Sequence, residues 1–318
     1  MENSILFSII TPAYNLENII GATIESVLNQ GYKNFEYIII NDGSIDNTLI
    51  KIENYAKLDS RIRVFSKENG GVSSARNLGI EKSKGEYLLF LDGDDIIESS
   101  LLEDSYKILK TNKVDMYSFG YVHLDSNGQK IKSYSKEEYN GKVFSGDKFL
   151  EKYLYKKIDQ HICSAIVKRD IITENDFKFN IKTKVAEDTE FIIKIMSKSK
   201  TVYYNSYEYF KYYYRDGSAV NRKIKRENFD VYVRIDDYLK EINVKAARQN
   251  RCYWFVNFYR NILKKGSDSD TVRKFLEFET ALKHYKFKFD RYGIVTLGFI
   301  ILYRPFLKSY LINKYELE

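Results

Sequence analysis

The sequence predicts an α/β fold with parallel strand pairing. Three observations predict it: short β-branched and aromatic runs without polar alternation, helically spaced segments between them, and polar loops closing the strands at one end. Residues 5–10 (ILFSII) form the first such run, ended by Thr11-Pro12. A run this apolar reads as a strand buried on both faces. Residues 16–30 follow with Ile19, Ile20, Ile24, Val27 and Leu28 at helical spacing. Residues 35–40 (FEYIII) are the second strand, closed by Asn41-Asp42-Gly43-Ser44. Asp46-Asn47-Thr48 then starts a helix over 48–58, because these side chains accept hydrogen bonds from first-turn amides. Residues 61–66 read as a third strand, 72–83 as a third helix, and 87–91 as a fourth strand ending at Asp92. Right-handed crossovers line such strands up in parallel, and ligands of such sheets bind beyond the carboxyl ends. Thr11-Pro12, Asp42-Gly43 and Asp92-Gly93 all fall at those ends.

From about residue 101 the alternation weakens. Residues 114–124, 131–135 and the tyrosine-rich 202–214 read as strands, 146–157 and 186–198 as helices, and the chain beyond 224 as mainly helical and basic. No repeat or obvious linker marks a boundary, so the second half is expected to pack onto the first.

Composition excludes several classes. Of 318 residues 44% are apolar and 30% charged, with 16 Gly and 2 Pro, enough apolar material for a sizeable core and too little Gly and Pro for a disordered or collagenous chain. Cys163 and Cys252 have no short-spaced partners and His123, His161 and His284 are scattered, which rules out a disulfide framework and a Cys-based zinc site and leaves no His-rich metal site in view. The N-terminus has neither a basic n-region nor a small-residue cleavage site, so a cytoplasmic location is expected. From residue 200 onward 24 basic residues face 14 acidic ones, a charge of +10 that leaves −3 for residues 1–199. Such asymmetry points the basic half at phosphates, of nucleic acid or of anionic lipid; a simple compositional bias toward Lys, Tyr, Asn and Ile accounts for it equally well.

Leu91-Asp92-Gly93-Asp94-Asp95 is the strongest chemical signal. Two carboxylates one residue apart on a turn can reach one hard cation, Mn²⁺ or Mg²⁺, and through it a diphosphate. A helix cap or a tight turn uses the same residues. An EF-hand is excluded by Ile96, where its loop needs a third Asp or Asn.

With the other loops added, the chain resembles the family 2 glycosyltransferases of GT-A fold. The resemblance rests on four segments in order: Ser8-Ile-Ile-Thr-Pro-Ala-Tyr-Asn15, Ile40-Asn-Asp-Gly-Ser-Ile-Asp-Asn-Thr48, Glu68-Asn-Gly-Gly-Val-Ser-Ser-Ala-Arg-Asn-Leu-Gly79 and Leu91-Asp-Gly-Asp-Asp95. It extends more loosely to Ala186-Glu-Asp-Thr-Glu-Phe191 and Tyr213-Tyr-Arg-Asp-Gly-Ser218. It implies a Rossmann-like, mixed but mainly parallel sheet flanked by helices, with a nucleotide-sugar half (1–100), an acceptor half (101–223) and a basic helical region (224–318). It also implies an inverting, metal-dependent transfer of a sugar from a UDP-sugar to a carbohydrate acceptor, a lipid-linked oligosaccharide of surface polysaccharide synthesis being the expected one. Glycosylation of polyprenyl phosphate or of a teichoic acid is the runner-up.

Roles follow from the resemblance. Thr11, Pro12, Ala13, Tyr14, Asn15 and Glu17 would line the nucleotide pocket, with Tyr14 against the base. Asp42 would accept the uracil imide N–H, and Asn69 and Gly71 would let backbone approach the nucleotide. Arg76 would lie near base or diphosphate, although Arg76 and Asn77 also suit a plain helix surface. Asp92 and Gly93 would sit near ribose or metal; Gly93 stands where many relatives carry Ser. Asp94 would be the principal metal ligand. Of Glu187-Asp188, Asp188 would be the general base on the opposite face of the donor ring. Acidic placement in a helix's first turn explains the same pair. Tyr214, Arg215 or Ser218 would close over the diphosphate. His161, Cys163 and the tyrosines of 203–214 would serve the acceptor, although a tyrosine cluster also suits a core or a sheet surface.

Residues 281–291 interleave Lys, Tyr and Phe, and 293–303 are uncharged. Eleven uncharged residues fall short of a membrane span. The segment can lie in the headgroup region of an anionic leaflet on the inner face of the cell membrane, or form a buried helix or a contact between copies of the chain. Other classes of function leave their own marks. A nucleic-acid binder using the basic, Tyr-rich half lacks RNP, zinc-finger and basic-zipper signatures, so no nucleic acid is expected. A nucleotide-sugar binder without catalysis is disfavoured by Asp94 and Asp188.

Overall fold

A computed structural model describes residues 5–183, 186–214, 226–242, 254 and 269–273. The chain divides into two compact units, Met1–Tyr153 with Ile158–Asp216, and Leu154–Lys157 with Gly217–Glu318.

In the first unit the apolar runs become the strands β1 (Phe7–Ala13), β2 (Phe35–Asn41), β3 (Ile62–Ser66) and β4 (Tyr87–Phe90), with the helices α1 (Ile20–Leu28), α2 (Thr48–Leu58) and α3 (Val72–Lys82) between them. Every residue of β1, β2 and β4 is buried, as two-sided helix cover requires. Helix α1 turns Ile20, Ile24 and Val27 to the core. Thr48 N–H donates to Asp46 Oδ1 at 3.0 Å, so Asp46 supplies the side chain that starts α2. Helix α3 lies close on β1 at Gly79, where a Cβ would stand 2.3 Å from Ile10 Cγ2.

The remainder of the unit comprises β5 (Ile96–Ile97), α4 (Leu101–Asn112), β6 (Met116–Leu124), β7 (Lys130–Ser133), β8 (Lys142–Phe144), α5 (Gly146–Leu154, its last residue grouped with the second unit), β9 (Ala165–Lys168), α6 (Arg169–Glu174), α7 (Glu187–Lys198) and β10 (Val202–Tyr213). One mixed sheet runs β3-β2-β1-β4-β9-β6-β10-β5, with β7 on β6 and β8 on β10. β3, β2, β1 and β4 pair in parallel and so do β6 and β10, while β9 runs antiparallel to both β4 and β6. This is the mixed, mainly parallel sheet with flanking helices of the GT-A fold.

In the second unit α8 (Arg226–Glu241) buries Val231, Ile235 and Leu239, a single face at i, i+4, i+8. Residues 215–225 and 281–303, with the expectations placed on Arg215, Ser218 and the aromatic-basic segment, lie outside the described residues. Among the described residues no helix is long and apolar enough to cross a membrane.

Candidate active site

The loops after β1 and β2 are braced against one another. Asn15, in left-handed backbone (φ 52°), donates its N–H to Ser44 Oγ at 3.1 Å and accepts Ile45 N–H on Oδ1 at 3.0 Å. Glu17 Oε2 accepts both the backbone and side-chain N–H of Asn47 at 2.9 Å, and Glu17 N–H donates to Asp46 Oδ2 at 3.1 Å. The side chains of Asn15 and Glu17 therefore hold these two loops together. Thr11 is buried, its hydroxyl accepting from Tyr37 Oη at 3.2 Å. Pro12 and Ala13 are buried in register with Ile40 and Asn41. Tyr14 presents its ring to solvent, 46% exposed.

Asp42 organises the loop before α3. Its Oδ1 accepts Lys67 Nζ at 2.7 Å and Gly70 N–H at 3.0 Å, and its Oδ2 accepts Gly71 N–H at 2.7 Å. Asn69 Nδ2 caps the Asp42 carbonyl at 2.9 Å. Gly71 has φ +84° and open space where a Cβ would point, so glycine supplies a conformation that L side chains rarely adopt. A carboxylate offers about four acceptor positions, so one at Oδ2 remains.

At the end of β4 the chain turns sharply, Asp95 N–H donating to the Asp92 carbonyl at 3.1 Å. Asp95 is fully buried and its Oδ1 accepts Tyr213 N–H at 3.1 Å, fastening the turn to β10. A Cβ on Gly93 would stand 2.9 Å from the Pro12 carbonyl oxygen and 2.6 Å from Leu16 Cδ1. Glycine here lets the acidic turn seat against the β1 loop. Asp94 is half-buried. Its charge, with those of Asp95 and Asp92, faces Tyr212, whose hydroxyl is pushed up to about 12, first by burial and then by these carboxylates.

Arg76 joins this turn to the acidic start of α7. Only 3% exposed, it donates from Nη2 to Asp92 Oδ1 at 2.6 Å and from Nη1 to Glu187 Oε1 at 3.3 Å, with its guanidinium 5.2 Å from the Phe179 ring centroid. Phe179 is itself held by Asn77, whose amide exchanges two hydrogen bonds with its backbone at 2.8 and 2.9 Å. Arg76 and Asn77 are therefore both engaged by partners beyond their own helix. Burial pushes the Asp92 carboxyl up, but Arg76, His161 and hydrogen bonds from Arg76 and Cys163 prevail and hold it below the usual range. Glu187 goes the other way: burial first, and Asp188 beside it, push it up to about 7 against the pull of Arg76. Asp188 Oδ1 accepts Thr189 N–H at 2.7 Å and its Oδ2 lies 3.9 Å from His161 Nε2. The helix start also carries Glu190 in its first turn, so the dipole accounts for the acidity and the cluster for its orientation.

The expected residues thus fall into two groups. The loops of Thr11–Glu17, Asp42 and Asn69–Gly71 form one, and Arg76, Asp92, Glu187 and Asp188 form the other. Sequence reasoning placed His161 and Cys163 with the acceptor. The structure sets both beside the charged cluster: His161, partly exposed, turns Nε2 toward Asp188, and Cys163 is fully buried beside Asp92, where burial pushes its thiol up. Only the Ser164 spacing after His161, which closes a capping box, hints at this turn in the sequence. Among the described residues no three His, Cys, Asp or Glu side chains converge as a ready-made metal site.

Comparison with known proteins is consistent with this geometry. The profile of Glycosyl transferase family 2 matches residues 8–174. An uncharacterized glycosyltransferase of Rickettsia bellii is 42% identical over 137 residues, 43% of this chain. The minor teichoic acid biosynthesis protein GgaB of Bacillus subtilis is 33% identical over 227 residues, 69% of this chain. The matched parts span 20% and 24% of those two proteins. Among solved structures, S. aureus TarS 1–349 in complex with UDP-GlcNAc superposes with a TM-score of 0.67 at 20% identity, covering 97% of this chain and 89% of that one. At that identity the likeness concerns the fold.

Proposed function

The chain belongs to glycosyl transferase family 2, and from that premise we propose that it transfers a sugar from a UDP-sugar to a carbohydrate acceptor with inversion at the anomeric carbon. The observation that carries the reading is the buried Arg76 that ties Asp92 to Glu187, residues 95 positions apart, and so sets Asp188 on the same wall as the acidic turn.

In this reading the remaining acceptor position of Asp42 takes the uracil imide N–H, the exposed ring of Tyr14 packs on the base, and the Cβ-free space at Gly71 admits the nucleotide. Arg76 keeps Asp92 ionised and fixed. A divalent ion is commonly held by one or two carboxylates and the substrate's phosphate oxygens, and the donor set fits that arrangement: half-buried Asp94, with Asp92 beside it, would hold Mn²⁺ or Mg²⁺. Bound there, the ion would neutralise negative charge building on the departing diphosphate. Asp188 accepts the proton of the acceptor hydroxyl, whose oxygen attacks the anomeric carbon from the face opposite UDP. The carbon–oxygen bond to the β-phosphate breaks, its electron pair stays on the phosphate oxygen, and UDP leaves.

The acceptor we propose is a lipid-linked oligosaccharide of surface polysaccharide synthesis, reached from the inner face of the membrane with the basic region lying on anionic lipid. The similarity to GgaB, a teichoic acid biosynthesis protein, supports a teichoic-acid polymer as the second reading. The test is release of UDP from a panel of UDP-sugars, UDP-GlcNAc included, with and without Mn²⁺ or Mg²⁺. Turnover by the wild type that Asp188→Asn abolishes while binding UDP normally is the expected result. Undiminished turnover by Asp188→Asn would overturn the assignment of the base.

A further inference from the structure

Beside the proposed base stands a histidine that the reaction above leaves without a role. His161 precedes a short turn, Ile162–Ser164, and its ring lies on Phe210 with 5.2 Å between centroids and 16° between planes. The turn is tied on several sides. His161 N–H donates to Ser164 Oγ at 3.0 Å, and Gln160 Nε2 donates to the Ser164 carbonyl and hydroxyl at 2.9 and 2.8 Å. The Cys163 backbone N–H donates to His161 Nδ1 at 3.2 Å. An Nδ1 that accepts carries no proton, so a neutral ring has its N–H on Nε2. Burial opposes charge on this ring and outweighs the pull of Asp188 and Asp92, keeping its pKa below the ordinary histidine value. Nε2 is the atom that faces Asp188 Oδ2 at 3.9 Å. The other carboxylate oxygen, Oδ1, is already fixed by Thr189 N–H.

We infer that His161 is the positioning residue of the transfer: its Nε2–H, set by the Cys163 amide and the Phe210 ring, holds the Asp188 carboxylate toward the acceptor hydroxyl. A cap of the 162–164 turn would need Nδ1 alone, whereas the orientation of Nε2 serves Asp188. The present separation has about 1 Å to close, a change common between free and substrate-bound sites. Oδ1 also accepts the Thr189 hydroxyl at 3.4 Å, so Oδ2 is the oxygen that keeps a second lone pair for the acceptor's proton.

The inference rests on Asp188 being the base, and the experiment separates the two. In the full-length wild type, ¹⁵N NMR of the imidazoles, with the His161 signals assigned by their loss in a variant, should show the Nε2-protonated tautomer; the Nδ1-protonated form would overturn the inference whatever the activity. Glutamine reaches with its amide nitrogen to the place of Nε2, asparagine only to that of Nδ1. With UDP-GlcNAc and Mn²⁺, His161→Leu and His161→Asn should lower kcat about 10²-fold, the scale of a misplaced group, with donor KM and UDP affinity unchanged, and His161→Gln should recover most of it. Equal kcat in all three variants, or a loss confined to KM, would overturn it. Retained turnover in Asp188→Asn would instead remove the base itself.

Discussion

Arg76 sits where three demands meet: it is buried, it carries a charge, and it serves two carboxylates 95 positions apart in the sequence. Removing one partner of a buried ion pair strands the others, at about 3–5 kcal/mol. Arg76→Met is therefore expected to lower stability by about 3 kcal/mol, and Arg76→Lys by less, since lysine restores charge but not the two-pronged geometry. Urea denaturation of both variants checks this, and equal midpoints for Arg76→Met and wild type would contradict it. Glu187 gives the site a pH dependence. Its carboxyl is pushed up to about 7 by burial and by Asp188, from an ordinary value of 4.5. Between those values the folded state binds more protons than the unfolded one, so this group's stabilising contribution is complete below about pH 4.5 and is lost as pH rises through about 7. Glu187→Gln cannot titrate. The wild type should thus lose stability relative to Glu187→Gln between pH 5 and pH 8, read as the difference in urea midpoint. A difference constant across that range would mean that Glu187 is ionised throughout.

At the scale of elements, the candidate site is made of loops that act through one another. Asp42 fixes the Gly70-Gly71 turn with both oxygens, so Asp42→Asn turns an amide N–H₂ toward backbone N–H donors. Hydrogen bonds to a charged group are worth about 1.5–3 kcal/mol. The variant should lose about that much stability and bind UDP more weakly in calorimetry, whereas a purely base-contacting Asp42 would weaken binding with stability intact. The loops at the ends of β1, β2 and β4 were legible in the sequence because apolar runs stop there at Asp, Gly and Pro. The structure carries β1 on to Ala13, past Pro12, because β4 pairs only as far as Ile10, and a missing N–H is tolerated where no strand needs it. Helix α4 was not legible: its 12 residues bury only Leu101, Leu102, Ser105 and Leu109, too sparse an apolar stripe to stand out. Strand β9 was hidden for another reason. Its four residues gain meaning only from β4 and β6 on either side, a tertiary fact that overrides local pattern. The link from Arg76 to Glu187 spans 111 positions, and no local spacing encodes it.

For the whole molecule, charge and chemistry are segregated along the chain. Every described residue assigned to the donor, the base and its positioning lies within Met1–Tyr153 and Ile158–Asp216, whereas the positive charge concentrates from residue 200 onward, +10 against −3 before it. A basic surface segment binds anionic lipid by roughly 1 kcal/mol per Lys or Arg near the membrane, and salt screens that attraction within about 10 Å at 0.1 M. Donor binding and membrane binding should therefore separate when the chain is cut. Three lengths make the comparison: the full chain, a chain ending at Asp290, and one ending at Asp216. In sedimentation with anionic vesicles the full chain should pellet at low salt and be released by high salt, and neutral vesicles should leave it in solution. The chain ending at Asp216 should stay in the supernatant while binding UDP as tightly as the full chain. The chain ending at Asp290 locates the contact: pelleting like the full chain would assign it to residues 217–290, and loss of pelleting would assign it to 291–318. Equal pelleting by all three lengths would show that the basic half does not hold the protein to lipid, and UDP binding lost at Asp216 would show that the donor site needs residues beyond the first unit.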